Sequence, residues 1–103
     1  MRFMITFRIP MDRGNAVIKD GTMMPVNQSI VNDLKPEAAY FTTIDGVRGG
    51  WLVVNLDDAS QIPAIAEPLF LGLGATVEFH PVMTPEDLAK AGPAIQQATQ
   101  KYG

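Results

Sequence analysis

The first residues of the chain alternate between apolar and other side chains. The apolar positions are Phe3, Ile5, Phe7 and Ile9, and the positions between them are Arg2, Met4, Thr6 and Arg8. This period of two is typical of a strand with one buried face. Pro10 should end the strand, because proline has no N–H for the ladder.

Three further segments are rich in strand-forming residues, namely 38–44, 51–56 and 75–82. Asp45-Gly46 together with Gly49-Gly50 predicts a hairpin loop between the first two of these segments, because aspartate and glycine accept the backbone angles of tight turns. We therefore expect four strands.

The segment 12–35 has a helical pattern that is interrupted. Asp12 is expected to cap a first piece, which Gly21 breaks, and Thr22 is expected to cap a second piece. The second piece has an apolar stripe at four-residue spacing, formed by Val26, Ile30 and Leu34. Met23-Met24, at its start, could line the entrance to a pocket between helix and sheet or fill gaps in the core.

Two more helical segments follow later in the chain. Ser60 is expected to cap a short helix, which Pro68 should kink or shorten and which Gly72 and Gly74 should end. The sequence Thr84-Pro85-Glu86-Asp87 predicts a C-terminal helix, with a capping threonine, a first-turn proline and two acids facing the helix dipole. Gly92-Pro93 should interrupt that helix.

The order β-α-β-β-α-β followed by a C-terminal helix predicts an α+β fold. It is the pattern of the ferredoxin-like βαββαβ sandwich with an antiparallel sheet. An α+β meander with another strand order would give the same succession of elements. We expect residues 1–103 to form a single domain, with residues 83–103 as a C-terminal helical extension.

Composition and charge exclude several classes of protein. The 103 residues suffice for one domain with one core, and the net charge of −3 without a basic stripe argues against a nucleic-acid partner. The absence of cysteine excludes disulfides and thiolate metal sites. The N-terminus does not read as a signal peptide, and no segment approaches the roughly 20 apolar residues of a membrane span. We therefore expect a soluble, cytoplasmic protein without a membrane partner.

The strands carry one apolar and one mixed set of side chains. The apolar set, expected under the helices, is Phe3, Ile5, Phe7, Leu52, Val54, Leu56, Val77 and Phe79. The mixed set is Arg2, Met4, Thr6, Arg8, Trp51, Val53, Asn55, Thr76, Glu78 and His80. A solvated face would seldom carry a tryptophan and a valine in its middle, and a monomer core would not hold two arginines and a glutamate. The mixed set therefore predicts a dimer interface or a ligand surface.

The segment 75–95, ATVEFHPVMTPEDLAKAGPAI, resembles small bacterial proteins of the dimeric α+β barrel superfamily, including domains of unknown function. The layout of nearly the whole chain is similar as well. The superfamily includes muconolactone isomerases, cofactor-free monooxygenases and haem-degrading enzymes, but none of their catalytic patterns maps onto positions of this sequence. The resemblance implies a homodimer whose two sheets pack face to face.

Three polar residues of the mixed set are candidates for chemistry. His80, the lone histidine, could act as a general acid or base, and its alternative is a structural histidine held by hydrogen bonds. Arg8 could bind an anionic ligand or form a cross-strand ion pair with Glu78. We expect Arg8 and His80 to emerge on one side of the sheet and to belong to any ligand site.

Trp51 and Asn55 could line an aromatic pocket, or Trp51 could pack against a partner. The alternation of 38–44 leaves the face of Tyr40 undetermined. A lone histidine is a poor basis for a metal site, and no phosphate-binding or nucleophile motif is present, so we expect neither a metal nor a cofactor.

Three functions remain open from the sequence. The first is a homodimer that binds a small organic ligand, either anionic or neutral, without chemistry of its own. The second is a cofactor-independent enzyme of the isomerase or monooxygenase type. The third is a purely structural dimer or partner subunit. A pocket above roughly 300 Å³ with convergent polar groups would favour the first two.

Overall fold

In the computed structural model, which describes residues 1–103, four strands form one antiparallel sheet and five α-helices accompany it. The α+β class predicted from the sequence is therefore confirmed. The elements are β1 (Arg2–Arg8), α1 (Met11–Lys19), α2 (Met23–Leu34), β2 (Ala38–Ile44), β3 (Val47–Asn55), α3 (Ile62–Leu73), β4 (Thr76–Pro81), α4 (Pro85–Lys90) and α5 (Gly92–Tyr102). None of the helices is both long enough and apolar enough to cross a membrane.

β1 lies inside the sheet between β3 and β4, and the strand order is β2-β3-β1-β4. Every neighbouring pair is antiparallel. Ile5 of β1 is opposite Leu52 of β3 and Phe79 of β4, so apolar side chains of three strands share one face. β2 and β4 are the edge strands, and β2 pairs only with β3.

The core lies between this face of the sheet and the helices α1, α2 and α3. Its buried side chains form one cluster, which consists of Ile5, Phe7, Ile9, Val17, Met23, Ile30, Leu52, Val54, Leu56, Ile65, Leu69, Leu73 and Ala75. Phe3, Val77 and Phe79 pack against the cluster from partly buried positions. The apolar strand set predicted from the sequence is thus the helix-covered face, and its burial is the main source of stability.

Two residues form the tight turn of the hairpin between β2 and β3. Asp45 (φ 53°) and Gly46 (φ 80°) both have positive φ, as a type I′ turn requires. β3 begins directly after them, so the expectation that Gly49 and Gly50 lie in the loop is wrong. A Cβ at Gly50 would collide with the Tyr40 carbonyl and stand 3.0 Å from the ring of Phe7, and one at Gly49 would collide with the Phe7 carbonyl. The strand needs these glycines for close packing rather than for turning.

Two helix caps differ from the expected ones. α1 begins after Pro10, which has no side-chain acceptor, and Asp12 lies in the first turn instead of at the cap. Thr22 occupies the cap position of α2, but its hydroxyl donates to Asp20 Oδ1 at 2.6 Å and makes no capping bond to the helix. The hydroxyl and the backbone N–H of Thr22 both donate to the Asp20 carboxylate, and these bonds lower the pKa of Asp20.

The residue that caps the start of the α3 segment also differs from the predicted one. Asp58, and not Ser60, caps the 3-10 turn before the helix: its carboxylate accepts the N–H of Ser60 at 2.8 Å, and the Gln61 side chain accepts the N–H of Asp58 at 3.2 Å. A carboxylate is a stronger acceptor than a hydroxyl. α3 continues for 12 residues through Pro68, so the expected shortening is wrong, because burial of its apolar face outweighs one missing backbone bond. Gly74 (φ 63°) ends the helix as expected, whereas Gly72 lies inside the helix and is not part of the stop.

α4 and α5 form a C-terminal arm, residues 84–103. Thr84 caps α4 as predicted, and the predicted interruption before Pro93 divides the segment into two helices. Neither helix contains a buried residue. The molecule measures 58 × 28 × 20 Å, and its radius of gyration of 17.2 Å exceeds the value of about 13 Å that is typical of a compact domain of this length. The arm therefore projects from the body of the chain.

Candidate functional site

The face of the sheet that the helices leave uncovered carries the mixed side chains, and we name it the open face. Its central row runs across all four strands, because Tyr40 is opposite Trp51, Trp51 is opposite Thr6, and Thr6 is opposite Glu78. Paired residues of antiparallel strands point to the same side of the sheet. Tyr40, whose face the sequence left undetermined, therefore lies on the open face beside Trp51.

Two further rows flank the central one. One row consists of Ala38, Val53, Met4 and His80. The other consists of Thr42, Gly49, Arg8 and Thr76. The register thus places Arg8 and His80 on the same face, on the neighbouring strands β1 and β4, with Glu78 in the row between them.

Glu78 joins Arg8 and His80 into one polar cluster. Arg8 Nη1 donates to Glu78 Oε1 at 3.1 Å, and His80 Nε2 lies 3.2 Å from Glu78 Oε2. Arg8 Nε also donates to Asp45 Oδ2 at 2.8 Å. Partial desolvation lowers the pKa of Arg8, but its hydrogen bonds to Glu78 and Asp45 raise that pKa more, so the net shift is upward. The guanidinium is held as a cation between two carboxylates.

Trp51 and Asn55 do not line a common pocket. They lie on the same face but four residues apart on β3, which separates their Cα atoms by about 13 Å. Asn55 Oδ1 accepts a hydrogen bond from the N-terminal amine of Met1 at 2.9 Å, so it serves as an anchor for the chain end. Trp51 remains 37% exposed in the middle of the open face.

The largest concave feature lies on the other side of the sheet. A cleft of about 560 Å³ separates α2 from the hairpin formed by β2 and β3, and we name it the α2 cleft. It is lined by Phe7, Ile9, Met23, Met24, Asn27, Gln28, Val31, Ala39, Phe41, Thr42, Arg48 and Gly49. None of the three principal cavities is lined by Arg8, Trp51, Glu78 or His80.

The apolar wall of the α2 cleft comes from both layers of the fold. Phe41 of β2 is 56% exposed and packs edge to face against Phe7, with ring centroids 6.2 Å apart. Across the cleft, Met23 is buried and fills the core, whereas Met24 is 74% exposed at the rim. The two alternatives that the sequence left open for this methionine pair therefore each hold for one residue.

Arg48 is the charged group of the α2 cleft. Its Nη1 donates to Asn15 Oδ1 of α1 at 3.0 Å, and the side chain is partly buried. No ion pair joins Arg48 to a carboxylate, in contrast to Arg2, whose Nε lies 2.8 Å from Glu37 Oε2. A guanidinium has five N–H donors, so most of the hydrogen-bonding capacity of Arg48 is not used within the chain.

The family model described as domain of unknown function (DUF3303) matches residues 1–96. The chain belongs to this family. No curated protein matches the sequence. The DUF3303 match covers the whole sheet and α1 to α4 and ends within α5, so the α2 cleft and the polar cluster of the open face both lie inside it. No three histidine, aspartate or glutamate side chains converge as potential metal ligands in the structure.

The site residues predicted in this DUF3303 chain, Arg8, Trp51, Asn55, Glu78 and His80, all lie on the open face. Nothing in the sequence indicated a role for Arg48. Arg48 fell within the predicted hairpin loop, where an arginine carries no indication of a site. The type I′ turn instead places it in β3, two residues after Gly46. The Met23-Met24 pair was the one sequence signal that pointed to the cleft.

Proposed function

We propose that this DUF3303 chain is a cytoplasmic homodimer that binds a small organic molecule in the α2 cleft. The observation that carries the proposal is the cleft itself. Its volume of about 560 Å³ falls within the range of roughly 300–1,000 Å³ that is usual for ligand sites, and its lining combines apolar side chains with a few polar groups. A closed, dry space between sheet and helices would instead have supported a purely structural protein.

The lining of the cleft favours binding over catalysis. General acid–base chemistry requires a titratable group within hydrogen-bond reach of the substrate. The cleft is lined by amides, one hydroxyl and a guanidinium, but by no carboxylate and no imidazole. His80 and Glu78 lie on the open face, on the far side of the sheet. The isomerase or monooxygenase alternative therefore has less support than a binding function.

We further propose a ferredoxin-like, dimeric α+β barrel arrangement, in which the open faces of two copies pack together. The antiparallel order with β1 between β3 and β4 supports it. The open face carries Trp51, 37% exposed, beside Tyr40, 64% exposed, and Met4, 36% exposed. Aromatic residues and methionine are enriched at protein–protein interfaces, and a second sheet would cover them together with the Glu78 cluster.

The C-terminal arm supports the same arrangement. Leu88 of α4 and Ile95 of α5 are 50% and 53% exposed, although both are large apolar side chains. A helix with an apolar stripe obtains most of its stability by packing that stripe against another surface. A second copy placed against the open face would supply such a surface next to the end of β4, where the arm begins.

The binding proposal can be tested with an uncharged fluorescent probe, N-phenyl-1-naphthylamine, whose emission rises in apolar surroundings. We expect the wild-type chain to bind the probe and Val31→Trp to lose it, because the larger ring would fill the cleft from α2. Ser29→Trp is the matched control, since Ser29 is exposed on the same helix and does not line the cleft. Equal binding by wild type and Val31→Trp would contradict the proposal.

A further inference from the structure

Arg48 places a positive charge in a cleft whose other polar lining groups are uncharged. Burying even part of a charged group costs free energy unless a partner of opposite charge or a set of hydrogen bonds compensates. Within the chain, the Arg48 side chain donates one hydrogen bond, to the neutral amide of Asn15. The arginines of the open face and of the N-terminus have carboxylate partners instead. The position of Arg48 therefore suits a negatively charged group that arrives from outside the chain.

The placement of the guanidinium is constrained by α1. A Cβ at Gly14 would stand 2.9 Å from Arg48 Nη1 and 3.5 Å from Arg48 Cδ, so the guanidinium can keep its present position only if residue 14 has no side chain. Asn15, the next residue of α1, accepts the hydrogen bond from Nη1. The tip of the side chain is thus held beside α1 by one hydrogen bond, and its remaining N–H donors make no hydrogen bond within the chain.

We infer that the α2 cleft takes a small amphipathic carboxylate, with its carboxylate on Arg48 and its apolar body between α2 and Phe41. This inference rests on the proposed function and names the ligand class. A guanidinium matches a carboxylate geometrically, because its planar fork can donate two parallel hydrogen bonds. Met24, Val31 and Phe41 provide the complementary apolar wall for a hydrocarbon or aromatic body.

Isothermal titration with decanoate and with its uncharged analogue decanamide tests the inference. We expect the wild-type chain to bind decanoate about tenfold or more tightly than decanamide, because a charge-assisted hydrogen bond contributes that much. Arg48→Met keeps the length and apolar stem of the side chain but removes the charge. It should abolish the preference for decanoate while decanamide still binds.

Gly14→Ala is a second variant that retains the charge. The added Cβ displaces the guanidinium, which is the flexible end of its side chain, and alanine is a better helix former than glycine, so the fold should persist. We expect this variant to lose part of the preference for decanoate over decanamide. If Arg48→Met does not fold, an unchanged preference in Gly14→Ala overturns the inference.

The failure of this inference can be distinguished from the failure of the proposed function. Equal affinity of the wild-type chain for decanoate and decanamide overturns the inference, as does a preference that survives Arg48→Met. If N-phenyl-1-naphthylamine still binds in those cases, the cleft remains a site for uncharged molecules. If neither the two decanoyl compounds nor the fluorescent probe binds, the proposed function and the inference are both wrong.

Discussion

Thr84 and Asp87 cap the first turn of α4 reciprocally. The backbone N–H of Thr84 donates to Asp87 Oδ2 at 3.0 Å, and the N–H of Asp87 donates to Thr84 Oγ1 at 3.2 Å. Two backbone donors that the helix itself cannot satisfy are thus paired. Because α4 buries no side chain within its own chain, this capping box is the main local determinant of where the arm begins.

Thr84→Ala should destabilise α4 by about 1 kcal/mol, the usual cost of replacing a capping threonine with alanine. We expect the ¹³Cα chemical shifts of residues 85–90 to move towards unfolded values, while those of β1 and β3 stay unchanged, because the arm contributes nothing to the core cluster. Thr84→Ser, which keeps the accepting hydroxyl, is the control. Unaltered shifts in Thr84→Ala would mean that the cap does not stabilise the helix.

The same capping box predicts a pH dependence of α4. The backbone N–H of Thr84 lowers the pKa of the Asp87 carboxylate below its unfolded value of about 3.9. A depressed folded pKa contributes stability that is present above the unfolded value and is lost as pH falls through the folded one. We expect the helical shifts of residues 85–90 to decline below about pH 4. Asp87→Asn cannot titrate, and an identical pH dependence in that variant would refute the assignment to Asp87.

Trp51→Glu should convert a dimer into a monomer. At micromolar concentration, we expect light scattering of the wild-type chain to give a molecular mass twice its 11.2 kDa. The dimer interface should bury about 1,200–2,000 Å² of surface in total. Trp51 lies in the central row of the open face, where a second sheet would bury the new carboxylate without a partner of opposite charge.

Leu71→Glu is the matched control for this change. Leu71 is 76% exposed on α3, in the helix layer, so the same kind of substitution should leave the dimer intact. A wild-type chain that scatters as a monomer contradicts the proposed dimer outright. A dimeric Trp51→Glu variant would place the interface on another surface.

The α+β class and the two faces of the sheet could be predicted because they depend on local periodicity. The alternation in residues 2–9 assigns each side chain of β1 to a face, whatever the strand pairs with. That Ile5, Leu52 and Phe79 share the helix-covered face then follows from burying the apolar sets together. The capping role of Thr84 could be predicted for the same reason, since its hydrogen-bond partner Asp87 lies three residues away.

The hairpin and the cleft could not be predicted, because they depend on contacts that are distant in sequence. Gly49-Gly50 has the composition of a turn, and the approach of Phe7 and of the Tyr40 carbonyl explains why a strand requires these glycines. Moving the turn to Asp45-Gly46 changes which residues belong to β3, and therefore whether Arg48 has a defined face. Asn15, which accepts the hydrogen bond from Arg48, is 33 residues away in the sequence. It belongs to α1, and no local sequence pattern predicts how α1 packs against β3.

The free edge of β2 has a consequence for the behaviour of the protein at high concentration. The strand reads AAYFTTI, without a charge or a proline, and its outer backbone N–H and C=O groups have no strand partner. Natural proteins usually discourage such edges with lysines, prolines or bulges, because an unprotected edge recruits strands from other molecules. β4, the opposite edge, carries Glu78 and Pro81. Aggregation on heating or concentration should therefore begin by strand addition at β2, and a dimer formed through the open face would leave that edge uncovered.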